Sequence, residues 1–73
     1  MEQGNDKERV IEKLNFFLNA KTKVHIKKHN KTFLNGYIFE RFKEDIYLMK
    51  EDELGIIHLF VSEIYDVGEF KEE

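Results

Sequence analysis

Apolar residues recur along this chain in two different rhythms. Over residues 7–19 they fall at Val10, Ile11, Leu14, Phe17 and Leu18, the i, i+1, i+4, i+7, i+8 spacing of one buried helix face. Asn5 or Asp6 can cap that helix and Glu8 suits its first turn, while Asn19 and Ala20 end it. Residues 1–6 are polar and predicted to be disordered. From residue 23 onward the rhythm changes to alternation, the mark of short strands. Strand one covers 23–28, with Val24 and Ile26 inward and the lysines and His25 outward. A turn follows at 29–32, where Asn30 tolerates left-handed backbone angles.

Strand two spans 33–42 and carries the most informative residue. Leu34, Gly36 and Ile38 fall two apart and share one face, leaving Phe33, Tyr37 and Phe39 on the other. A glycine inside a buried strand face weakens it unless the backbone bends sharply or approaches another backbone. The phase breaks near Glu40 and Arg41, which predicts a bulge or strong bend there. Lys43 and Glu44 make a tight connection to strand three, 45–50, which sends Ile46 and Leu48 one way and Tyr47 and Met49 the other. The hairpin at 51–55 ends on Gly55, a natural site for positive φ. Strand four, 56–61, is apolar apart from His58, which predicts burial on both faces. Ser62 and Glu63 interrupt, and strand five, 64–67, finishes before Gly68. The reading is a mainly β chain: a helix, then a five-stranded, strongly bent antiparallel sheet closing into a small barrel over 23–70.

Length changes the picture next. The chain has 73 residues, no cysteine and no proline, which is one domain at most. A chain this short buries roughly 60% of its unfolded surface, so self-association is the expected source of extra stability. No apolar run spans a bilayer and no signal-peptide pattern is visible, so no membrane contact is expected and the cytoplasm is the expected location.

Net charge is −3, against the basic balance of a simple polyanion binder, but the sum conceals an asymmetry. Lys21, Lys23, Lys27, Lys28 and Lys31 stand within eleven residues that hold no acid. The cluster reads as either a solvated strand face or a patch facing a polyanion or an acidic partner. Ten aromatic rings serve the core, a subunit contact or base stacking.

Catalytic chemistry has little to stand on. His25, His29 and His58 lack metal-type spacing, so no metal site and no cofactor is expected. Ser62 is the single serine and nothing near it in sequence marks a nucleophile. Glu51, Asp52 and Glu53 lie in a hairpin, where neighbouring acids are expected to be solvated. An enzyme is not expected.

The helix-plus-five-strands order, together with Leu34-Asn35-Gly36-Tyr37-Ile38 after Asn30-Lys31, resembles the Sm-like family of Sm, LSm and Hfq proteins. The likeness covers residues 10–67. It implies a small SH3-like or Sm-like barrel and a hexameric or heptameric ring, closed by pairing strand four of one chain with strand five of the next. On that reading Ile57, Leu59, Val61, Ile64 and Tyr65 form the subunit interface. The resemblance also implies single-stranded RNA near the pore, at the loop after strand two and the link between strands four and five. Those positions fall on Phe42, Lys43 and Asp45, and on Ser62; the lysine patch adds Lys27, Lys28 and Lys31. The family has an acid after the strand-two aromatic, then an Asn, whereas Lys43 and Asp45 stand there in this chain. It offers Arg-Gly or Lys-His in its second motif, whereas this chain offers Val61-Ser62-Glu63.

Three functions remain open from sequence. The first is an Sm-like RNA-binding ring component in RNA processing, stability or chaperoning. The second is a protein–protein assembly module that kept the barrel and lost RNA. The third is an SH3-like barrel of unrelated ancestry.

Overall fold

A computed structural model describes residues 3–71. Its order is α1 (Gln3–Ala20), β1 (Val24–Lys28), β2 (Phe33–Lys43), β3 (Ile46–Glu51), β4 (Gly55–Phe60), a 3-10 turn (Val61–Glu63) and β5 (Ile64–Glu69). The helix starts at Gln3, four residues before the predicted 7–19. Asn5 and Asp6 therefore lie inside it instead of capping it. No proline stops that polar stretch, and Glu8 favours the positive end of a helix dipole. Of the stretch expected to be disordered, Met1 and Glu2 lie outside the described residues. At the other end Lys21 turns left-handed, φ 57°, and its N–H donates to the Phe17 carbonyl at 2.9 Å.

All five strands belong to one antiparallel sheet in the order β4-β3-β2-β1-β5. The long second strand makes this possible by changing partners. Its first half pairs with β1 as far as Gly36 opposite Val24, and from Gly36 opposite Glu51 onward it pairs with β3. Register shifts between Ile38 and Glu40, and again between Arg41 and Lys43, put the expected irregularity in its second half.

The strand pattern predicts a sheet closed into a barrel. The sheet described here is open: β4 and β5 are its two ends, each paired on one side only. The 3-10 turn connects those ends and is held to both neighbouring turns. Val61 N–H donates to the Asp45 carbonyl at 3.0 Å, and His29 N–H donates to the Glu63 carbonyl at 3.0 Å.

The core comprises Val10 and Leu14 of α1, with Val24, Ile26, Leu34, Ile38, Tyr47, Met49, Leu59, Val61, Ile64 and Val67. The helix stripe lies on β5, β2 and the 3-10 turn, with Ile11, Phe17 and Leu18 at its margin. Strand four is not buried on both faces as predicted. Leu59 is 2% exposed, while Ile56 is 67% exposed and Phe60 and His58 also face out. No helix among the described residues is long and apolar enough to cross a membrane.

Candidate nucleic-acid interface

The lysine cluster comes from β1 and the turn that follows it. Alternation turns Val24 and Ile26 inward and leaves Lys27 outside, so charge and core separate on one strand. The turn at 29–32 is held by Asn30, whose Oδ1 accepts from the Thr32 N–H (3.1 Å) and the Thr32 hydroxyl (2.7 Å). The left-handed residue there is Lys31, φ 71°, not the asparagine expected from its tolerance for that conformation. Asn30 works through its side chain instead.

Charge on this face is partly neutralised. Lys28 Nζ lies 3.1 Å from Glu63, Lys23 Nζ lies 2.6 Å from Asp52, and Lys13 Nζ lies 3.0 Å from Asp66. Burial alone would raise the Asp66 pKa. The hydrogen bond and charge of Lys13, the Val67 N–H and the charge of Arg9 outweigh it, and the pKa ends lowered. Lys27 keeps a different partner, its Nζ 5.3 Å from the Tyr65 ring centre.

The predicted RNA residues fall into two groups on either side of the 3-10 turn. Lys28 and Ser62 line one hollow with His29, Asn30 and Glu63. Lys27, Lys28 and Lys31 line a larger cleft of about 560 Å3 with His29, Phe33 and Tyr65. Phe42 and Lys43 lie apart from these, at the end of β2. The Phe42 ring meets His58 edge-on at 5.5 Å, and Lys43 Nζ sits 5.7 Å from Phe42. Asp45 meets the turn through its carbonyl, which accepts from the Val61 N–H.

The residues expected at the subunit interface divide between core and surface. Leu59, Val61 and Ile64 are buried in the chain's own core, and Ile57 packs at its margin. The register explains why: Leu59 stands opposite Tyr47 and Ile57 opposite Met49, both fully buried. The side chains β4 presents outward are Ile56, His58 and Phe60, while Tyr65 is exposed on β5.

Glu51 was expected to be solvated and is 7% exposed. Its carboxylate accepts from the N–H groups of Glu53 (2.7 Å), Leu54 (2.8 Å) and Asn35 (3.2 Å). The Leu54 N–H chiefly, opposed by burial and aided by Asn35, Glu53 and Lys23, holds its pKa below the usual range. A short turn whose N–H groups follow an acid by two and three residues is the signal that could have found it.

Among the described residues no group of His, Asp and Glu is arranged to hold a metal ion. Comparison with family profiles, curated proteins and solved structures finds no match to this chain.

Proposed function

We propose that this chain is an Sm-like subunit that self-associates into a ring and binds single-stranded RNA. The observation that carries the reading is the pair of free sheet ends, β4 and β5, joined by one short 3-10 turn. A free strand edge offers unpaired N–H and C=O groups, and another chain is the simplest way to satisfy them. The outward row Ile56, His58 and Phe60 gives β4 an apolar face for such a neighbour. On this reading the bent sheet rolls into a small barrel with α1 across it, and the lysines of β1 supply phosphate contacts. Its role is binding and assembly, not catalysis.

A second reading, an assembly module without RNA, is favoured by the ion pairs Lys28–Glu63 and Lys23–Asp52, which spend two cations within the chain. Light scattering behind a sizing column at two protein concentrations tests the ring, with a stable hexameric or heptameric mass expected. Anisotropy of a fluorescein-labelled RNA at two salt concentrations separates the readings. Affinity that falls steeply with salt supports the first, and no binding at low salt leaves the second.

A further inference from the structure

Three hollows meet around His29. One is lined by Lys7, His29, Val61, Ser62 and Tyr65 among others, the second by Lys28, His29, Ser62 and Glu63, and the third is the 560 Å3 cleft. His29 lies at all three and Tyr65 at two. The walls of the large cleft are aromatic. Phe33 has His25 stacked on it at 5.1 Å and 18°, and Tyr65 meets His29 edge-on at 5.6 Å. Both rings are more than half exposed, Phe33 at 53% and Tyr65 at 55%. Lys27 and Lys31 line the same cleft, and no carboxylate pairs with either among the described residues.

We infer that this cleft, and not the Phe42–Lys43 end of β2, is where a single-stranded polynucleotide binds. A base stacks against Tyr65 or Phe33, and Lys27 and Lys31 contact phosphates. The inference rests on the RNA-binding reading above and assigns its site. Exposed aromatic rings beside cations that no carboxylate neutralises are what a flexible strand needs, because every base has a π-face. A duplex keeps its bases stacked on one another and cannot use the rings. The acids nearby are already engaged, Glu63 by Lys28 and Asp66 by Lys13 and Arg9. RNA and DNA single strands share the chemistry described, and only an RNA arm and a DNA arm distinguish them.

The test measures anisotropy of fluorescein-labelled oligouridylate and oligodeoxythymidylate with the full chain across a salt series. Tyr65→Ala is expected to weaken binding about tenfold, the size of one lost base stack, while Tyr65→Trp retains it. Lys27→Glu with Lys31→Glu is expected to lower the slope of log affinity against log salt by about 1.4, two single-strand phosphate contacts. RNA bound more tightly than DNA supports the cleft as the RNA site, and DNA bound more tightly overturns RNA as the ligand. Circular dichroism melts keep a folding defect from being read as lost binding; a variant that does not fold is replaced by Phe33→Ala.

Binding by the wild type that survives these changes but is lost on Phe42→Ala or Lys43→Glu overturns the cleft and leaves the RNA reading standing. No binding by the wild type at low salt overturns the RNA reading itself. Equal competition by duplex RNA or by polyglutamate overturns the assignment to a single strand.

Discussion

Gly36 and Lys50 approach each other backbone to backbone: a Cβ placed on Gly36 would lie 2.1 Å from the Lys50 carbonyl oxygen. The α-carbon of Glu51 would be 2.9 Å away. These are main-chain atoms of β3, so no side chain can swing aside. This is also the point where β2 passes from one partner strand to the other. Gly36→Ala is expected to lower stability by about 2–3 kcal/mol, as overpacking of a close-packed site does. For a domain of this size each kcal/mol moves the melting temperature by roughly 4–8 °C, readable in a thermal scan.

Much of the fold was legible because strand period and helix period differ. The stripe Val10, Leu14, Phe17 and the inward pair Val24 and Ile26 were fixed by spacing alone. Gly36 on a buried strand face left two roles open, a sharp bend or a close backbone approach, and the structure shows the close approach to Lys50. What spacing could not supply was the phase of β4. Every residue of the stretch 56–61 but His58 is apolar, so alternation disappears and spacing predicts burial on both faces. Only pairing with β3 decides it, through Tyr47 and Met49. The cleft was half legible: the lysines were evident, but its aromatic walls come from β2 and β5, thirty-two residues apart in sequence at Phe33 and Tyr65.

The phase of β4 can be checked by charge. Ile56→Glu and Phe60→Glu lie on the outward face, so each is expected to fold with little loss and to reduce the native mass of any assembly. Leu59→Glu places a carboxylate in the core and is expected to prevent folding. Light scattering and circular dichroism on the three variants distinguish the two faces.

Glu51 makes stability depend on acid. Its pKa is lowered in the folded chain, so its contribution is present above about pH 4.3, the unfolded value, and is lost as pH falls through the folded value. Glu51→Gln is expected to cost roughly 1.5 kcal/mol at pH 7, the scale of hydrogen bonds to a charged group. Urea titrations at pH 7 and below pH 4 should show that difference shrinking in acid.

Tyr47 acts at the other end of the scale. Burial raises its pKa, the charge of Arg41 opposes this, and its hydroxyl donates to Asn15 Oδ1 at 2.5 Å. The unfolded chain therefore loses the phenolic proton first. The contribution is present below about pH 10 and is lost as pH rises through the folded value. Tyr47→Phe is expected to cost about 1 kcal/mol near neutrality and to flatten the alkaline limb of the stability profile.

Lys21 holds a left-handed conformation that disfavours a side chain. Lys21→Gly removes that strain and is expected to stabilise the chain by about 0.5–1 kcal/mol, after the added freedom of the unfolded state. A rise in urea midpoint without a change in slope is the expected signature.

The two ends of the sheet are not alike: β4 carries an apolar outward row, and β5 carries Tyr65 and Asp66. Contacts between unlike edges have a direction, and each joined chain leaves one edge of each kind exposed until a circle closes. In the proposed ring, a chain with β5 blocked by a proline would still present β4, so it could be added but not itself extended. Mixed with the wild type in small amounts, such a chain would behave as a terminator, and its effect on assembly would exceed its share of the protein.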